Sequence, residues 1–187
     1  MATKNLPTFT VPSLTPEAGA QVAAILQTRL DALNDLALTL KHIHWNVTGP
    51  HFIAVHEMLD PQVDAVRLMV DAIAERIATL GVAPVGTPGA LVAARTWDDY
   101  AIGRDTAIAH LGALDEVYVG VIEAHRKAAA DTEELDTVTN DLLIGHLHEL
   151  ELFHWFVRAH LESAGGKLST AGATTEKSAA RAATRKA

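Results

Sequence analysis

The segment from His56 to Leu80 constrains the fold most, because its apolar residues recur every three or four positions. At about 100° per residue, this spacing places one continuous apolar stripe along an α-helix. The stripe consists of Leu59, Val63, Val66, Val70, Ile73, Ile77 and Leu80. A helix of this kind must bury its stripe against other elements, so the segment predicts a helical bundle.

The opposite face of the same helix carries four side chains that can bind a metal ion. His56 and Asp60 form one i,i+4 pair, and Asp71 and Glu75 form another. The Cβ atoms of helical residues four positions apart lie about 5 to 6 Å from each other, so the two side chains of each pair can bind one cation together. Asp60 and Asp71 are about 16 Å apart along a helix, whereas metal–ligand bonds measure about 2.0 to 2.6 Å. One chain therefore cannot close one site, but an antiparallel copy across a two-fold axis would join the pairs.

Three motifs, HWNVTGPHF, HEMLD and DAIAERIATLG, resemble the signature of the Dps family, the ferritin-like DNA-binding proteins from starved cells. The resemblance implies an intersubunit ferroxidase centre, with ligands His44, His56 and Asp60 from one subunit and Asp71 and Glu75 from its two-fold mate. It also implies a dodecamer of tetrahedral symmetry that oxidises Fe(II), preferably with hydrogen peroxide, and stores the ferric mineral.

Three further residues take roles from the same resemblance. Trp45 resembles the tryptophan beside the iron site, although a packing tryptophan is an equal alternative. Asp136 and Asp141 resemble acidic positions that line the three-fold iron-entry channel. Asp136 also suits the N-terminus of a helix, where a carboxylate is stabilised by the helix dipole.

The ligand residues also have structural interpretations. Asp60 precedes Pro61, and an Asp-Pro pair often begins a helix with Asp as the N-cap. Either a helix starts at Pro61 or a longer helix bends there, and the resemblance favours the bend. Taken singly, His44 and His56 suit structural histidines, and Lys41 suits a solvated charge.

Composition limits the class of protein. The chain has 187 residues, of which 49% are hydrophobic, so one domain with one sizeable core is expected. The absence of cysteine excludes disulfides and thiol chemistry. The net charge of −8 suits cations better than nucleic acid. The first residues lack a basic segment followed by an apolar one, so we expect a cytoplasmic protein.

The remaining patterns predict an all-α fold, a ferritin-like four-helix bundle with a short extra helix between the second and third helices. Thr15 and Pro16 begin the first helix, and Gly81 ends the second in the left-handed conformation. By the family resemblance, the sequence ALVAAR is expected to form the short helix. The third helix is expected at about 98–130 and the fourth at about 136–164. Residues 1–14 are interpreted as an extended arm and residues 15–164 as the bundle.

The fourth helix contains a rival metal motif. Glu151 and His154 have the i,i+3 spacing that di-iron carboxylate proteins use inside a bundle, but no second Glu-x-x-His occurs. His110 and His125 have no partner pattern, and His146 is interpreted as a structural or surface group. A metal-dependent hydrolase is a further functional alternative, although no feature identifies its organic substrate.

The C-terminal residues 165–187 are small and polar, so they are expected to be disordered. Their basic side chains are Lys167, Lys177, Arg181, Arg185 and Lys186, against a single acid, Glu176. Repeated around an oligomer, such tails would bind DNA despite the acidic body. A DNA-compacting protein with little catalysis is therefore the second functional alternative, and a merely solubilising tail is the other interpretation.

Overall fold

The computed structural model describes residues 6–185, whose helices and strands follow one another in a simple order. The helices are α1 (Pro16–Asn46), α2 (Phe52–Thr79), α3 (Pro88–Ala94), α4 (Ala107–Thr132), α5 (Thr137–Leu161) and α6 (Glu176–Thr184). The strands β1 (Val47–Thr48) and β2 (Asp105–Thr106) pair in parallel. Helices α1, α2, α4 and α5 form the bundle, and α3 is the short extra helix, so the predicted fold is confirmed.

The ends of the first two helices agree with the sequence patterns. The Thr15 hydroxyl accepts a hydrogen bond from the amide of Ala18, and Pro16 occupies the first turn of α1. Helix α2 continues through Pro61, so the interpretation of Asp60 as an N-cap is wrong. Gly81 has φ 81°, and a Cβ there would lie 2.1 Å from the carbonyl oxygen of Phe9, so this turn requires glycine.

The predicted start of the third helix, near residue 98, is wrong. Helix α4 begins at Ala107, because Thr106 caps it by accepting a hydrogen bond from the amide of Ala109. The preceding residue, Asp105, is held in an extended conformation by the pairing of β2 with β1.

The apolar stripe of α2 lies in the core as predicted. Leu59, Val66, Ile73 and Leu80 are fully buried, and Val70 is half-buried against the same cluster. Burying a leucine or valine side chain contributes about 1.5 to 3 kcal/mol, so this stripe fixes the face that α2 turns inward. No helix within residues 6–185 is long and apolar enough to span a membrane.

The prediction that the C-terminal segment is disordered is wrong for the part that the structure describes. Thr175 and Ser178 form a capping box that begins α6. Ala179 and Ala183 are buried, and a Cβ added to Gly112 of α4 would lie 2.7 Å from the carbonyl oxygen of Ala179. The backbone of α6 therefore lies in close contact with α4. The composition of residues 165–187 did not predict this helix, because small residues pack by close approach of backbones rather than through large apolar side chains.

Candidate metal-binding face on helices α1 and α2

Two of the predicted ligands, His44 of α1 and His56 of α2, support each other reciprocally. Nδ1 of His44 lies 3.0 Å from the carbonyl oxygen of His56, and Nδ1 of His56 lies 2.9 Å from that of His44. The two rings stack with centroids 3.6 Å apart. A neutral imidazole that donates from Nδ1 to a carbonyl keeps its lone pair on Nε2, which is the form that binds a metal ion.

The third predicted ligand, Asp60, lies beside this histidine pair. One of its carboxylate oxygens is 3.4 Å from Nδ1 of His44 and accepts a hydrogen bond from the Lys41 ammonium at 2.8 Å. The hydrogen bond from Lys41 is the main reason that the pKa of Asp60 is lowered, and the two histidines act in the same direction. The structure thus brings His44, His56 and Asp60 together at one place.

Lys41 is the residue that the sequence interpretation missed. Its side chain is only 22% exposed and its ammonium is held by Asp60, so it is not a freely solvated charge. The signal was present, because Lys41 precedes His44 by three residues and therefore shares its face of α1.

The other two predicted ligands, Asp71 and Glu75, lie further along α2 and are exposed. Neither has a hydrogen bond or an ion pair with a side chain among the described residues. Because α2 is continuous, the separation of about 16 Å from Asp60 to Asp71 stands. Within residues 6–185 of one chain, no group of three or more histidine and acidic side chains is arranged to hold a metal ion.

The two helices that carry the predicted ligands also expose large apolar side chains. Trp45 is 71% exposed, so the interpretation of this residue as a packing tryptophan within its own subunit is wrong. Leu38 of α1 and Leu68 of α2 are 65% and 72% exposed. Exposed apolar side chains of this size are available for contact with another protein.

The two predicted channel residues differ in their surroundings. Asp136 accepts hydrogen bonds from Arg76 and Thr139, both at 2.5 Å, and its side chain is 9% exposed. Burial raises its pKa, but these hydrogen bonds outweigh burial and hold the pKa below its usual range. Asp136 therefore has its hydrogen-bond partners within its own subunit, whereas Asp141 is exposed.

The rival motif on α5 does not form a joint metal site. Nε2 of His154 lies 2.7 Å from the carboxylate of Asp115, whose other oxygen accepts a hydrogen bond from Thr170 at 2.7 Å. Glu151 forms its ion pair with Arg126 instead. The two side chains have separate partners, and both join α5 to α4, whereas Asp115 joins α4 to the C-terminal segment.

Comparisons with known proteins identify the family of this chain. Residues 23–164 match the family model of the ferritin-like domain. The chain is 61% identical over 178 residues to the DNA protection during starvation protein of Mycolicibacterium smegmatis, covering 95% of this chain and 97% of that one. This chain belongs to the Dps family. Membership places it among the ferritin-like proteins of iron storage and DNA protection.

Two solved structures of Dps proteins have the same fold. The Mycobacterium smegmatis Dps structure superposes with a TM-score of 0.89 at 61% identity, covering 90% of this chain and 97% of that one. DpsA14 from Streptomyces coelicolor superposes with a TM-score of 0.86 at 64% identity, covering 87% and 97%. The Dps bundle therefore accounts for nearly the whole described chain.

Proposed function

We propose that this Dps-family chain is a ferroxidase whose active site is shared between two subunits, with His44, His56 and Asp60 from one and Asp71 and Glu75 from the other. Fe(II) is the substrate, and hydrogen peroxide is the oxidant. Two Fe(II) ions each give up one electron, the O–O bond of peroxide breaks, and two hydroxide ions form. Because peroxide takes both electrons at one site, no hydroxyl radical is released, and iron is stored as ferric mineral.

The observation that carries this proposal is the reciprocal pairing of His44 and His56. Each ring is oriented by the carbonyl oxygen of the other residue, and its Nε2 is left for a metal ion. Asp60 adds a carboxylate oxygen next to them. Imidazole and carboxylate together suit Fe(II), and three ligands from one subunit leave coordination positions for the oxidant and for the partner's carboxylates.

The positions of the two ligand pairs on α2 support a two-fold arrangement. The midpoint between His56 and Glu75 lies between Ala65 and Val66, and so does the midpoint between Asp60 and Asp71. An antiparallel copy of α2 centred on this point would therefore place His56 opposite the Glu75 of the copy and Asp60 opposite its Asp71 at the same time. An isologous contact of this kind produces two identical sites per dimer. The exposed Leu38, Trp45 and Leu68 supply apolar surface for the contact.

Complementation between two inactive variants tests the shared site. A His56→Ala, Asp60→Ala chain lacks one half, and an Asp71→Ala, Glu75→Ala chain lacks the other. After co-assembly, a mixed dimer contains one intact site and one empty of all four ligands. We expect peroxide-dependent iron oxidation to return in the mixture, although each parent is inactive.

The matched control mixes the His56→Ala, Asp60→Ala chain with a His44→Ala chain, since both lack ligands from the same half. No intact site forms in that mixture, so activity should not return. Equal activity in the two mixtures, or none in verified mixed dimers of the first, would refute the shared site. Oxidation by a variant lacking all five ligands would refute this site, and no acceleration by the unmodified protein would refute the ferroxidase itself.

DNA binding is the second candidate, and the form of α6 favours it. Lys177, Arg181 and Arg185 follow one another at intervals of four residues and are exposed, so they form a basic row opposite the buried alanines. Lys167 is also exposed, whereas Lys186 lies outside the described residues. Twelve such rows in a tetrahedral dodecamer would contact DNA phosphates multivalently. The proposal is therefore that the protein forms a dodecamer in the cytoplasm and that this dodecamer binds DNA.

A further inference from the structure

Two charged side chains near the middle of α2, Asp64 and Arg67, have no charged partner in their own subunit. Both are exposed, and within residues 6–185 neither takes part in an ion pair or a side-chain hydrogen bond. They are three residues apart, which is close enough for contact on a helix, yet they do not pair with each other. Asp71, four residues after Arg67, does not pair with it either. Both charges are therefore available to a neighbouring molecule.

These two side chains lie on the face of α2 that carries the proposed iron ligands. At about 100° per residue, Asp64 and Arg67 fall within the same sector of about 100° as the four ligands of α2. Val63 and Val66, which alternate with them in sequence, are buried in the core. A subunit that covers the ligand face must therefore cover Asp64 and Arg67 as well.

The two-fold register of the proposed shared site, on which this inference rests, determines what each charge would meet. The midpoint between Asp64 and Arg67 lies between Ala65 and Val66, which is also the midpoint of both ligand pairs. Each of the two residues is about 2.3 Å from that point along the helix. An antiparallel copy of α2 centred there would place its Arg67 at the level of Asp64 and its Asp64 at the level of Arg67.

The charge of α2 provides a reason for such a contact. Between Phe52 and Glu75, α2 has the five acidic residues Glu57, Asp60, Asp64, Asp71 and Glu75, and Arg67 is the one basic residue. Two copies packed face to face would bring like charges together and repel each other. Lys41 compensates Asp60 within its own subunit. Arg67 lies near the centre of the contact, where it would compensate a carboxylate of the other copy.

We propose that Asp64 of each subunit forms an ion pair with Arg67 of its two-fold mate, so that two such pairs lie between the two iron sites of a dimer. Packed helices have axes about 8 to 10 Å apart, which an arginine side chain can span at its own level. The guanidinium donates two parallel hydrogen bonds to the carboxylate. The pairs position the two α2 helices, because a parallel copy at the same level would bring Asp64 against Asp64.

Reversing one charge in each of two chains tests the pairing. In an assembly of the Asp64→Arg chain alone, both positions are basic, and in one of the Arg67→Asp chain alone, both are acidic. Each should dissociate at about tenfold higher protein concentration than the unmodified protein, since like charges then face each other. A mixed dimer of the two chains has opposite charges facing each other at both places. Sedimentation velocity of the co-assembled mixture should therefore show that the stability of the unmodified assembly returns.

A chain that carries both reversals, Asp64→Arg and Arg67→Asp, distinguishes a contact between subunits from one within a subunit. An ion pair within one chain would be restored in this double variant but not in the mixture of single variants. Recovery confined to the double variant would therefore overturn the proposal, and so would single variants that assemble as tightly as the unmodified protein. Arg104→Asp reverses an exposed charge outside α2 and should leave assembly unchanged.

This measurement needs no iron, so its failure can be told from a failure of the proposed ferroxidase. If the mixture does not recover while complementation between the ligand variants succeeds, the ion pair is wrong and the shared site stands. If the mixture recovers while ligand complementation fails, α2 pairs in this register without forming the proposed iron site. Circular dichroism of each variant checks that the chain is folded, as expected for substitutions at two exposed positions.

Discussion

Lys41 forms an ion pair of 2.8 Å with Asp60, which is one of the proposed iron ligands. The pair holds the carboxylate ionised, but its positive charge also opposes the approach of Fe(II). Lys41→Met should therefore raise the affinity for a divalent probe such as Co(II) at neutral pH, by about two- to fivefold, as expected for a partly exposed pair. Isothermal titration of the assembled protein measures this, with Arg104→Met as the control. Unchanged or weaker binding would contradict the role given to Lys41.

The stacked pair of His44 and His56 predicts a loss of metal affinity when one ring is removed. His44→Ala removes one ligand and the ring that stacks on His56, whereas the backbone carbonyl oxygen that orients the His56 ring remains. Affinity for Co(II) should fall by about 10- to 100-fold. His51→Ala is the control, because His51 lies in the exposed turn before α2. A loss of less than threefold in His44→Ala would mean that this residue is not a ligand.

The contact between Gly112 and α6 predicts a local effect of one methyl group. Gly112→Ala places a Cβ against the carbonyl oxygen of Ala179, so α6 must move away from α4. Hydrogen exchange in residues 176–184 should accelerate markedly. Gly120→Ala on the same helix has nothing within 4 Å and should instead stabilise by about 1 kcal/mol through helix propensity. Equal protection of α6 in both variants would show that the close contact is unimportant.

The buried carboxylate of Asp115 predicts a pH dependence of stability. Burial raises its pKa, but hydrogen bonds from His154 and Thr170 outweigh burial and lower it below the usual value. Its contribution is therefore present above the unfolded pKa of about 3.9 and is lost as pH falls through the folded pKa. Asp115→Asn should cost about 1 to 2 kcal/mol at pH 7 and less near pH 3. Melting curves against Asp98→Asn check this, and a constant difference across pH would contradict it.

The basic row on α6 predicts the salt dependence of DNA binding. Replacing Lys177, Arg181 and Arg185 by glutamine keeps the buried alanines and so leaves α6 docked. The slope of log affinity against log salt should decrease by about 2.7, because each phosphate contact contributes about 0.9. Iron oxidation should be unaffected, since no proposed ligand lies in α6. Identical slopes for assemblies of the same size would exclude α6 as the DNA-binding element.

The sequence predicted what depends on local periodicity. The stripe from Leu59 to Leu80 and the opposite pairs on α2 follow from 3.6 residues per turn, and the separation of those pairs led to the prediction of a shared site. The start of α1 followed from Thr15, because helix capping is a property of a few adjacent residues. The start of α4 did not, since the pairing of β2 with β1 involves residues 58 positions apart.

Tertiary structure decided everything that depends on a partner distant in sequence. Composition could not show that Lys41 reaches Asp60, because that contact joins two helices. The docking of α6 required Gly112 at one position of α4, where the missing side chain lets two backbones meet. His125 and His146 have no shared spacing along the chain, and only the packing of α4 against α5 brings their rings to 5.7 Å from each other. Short-range patterns determine helices and their faces, whereas through-space contacts determine which charges and histidines meet.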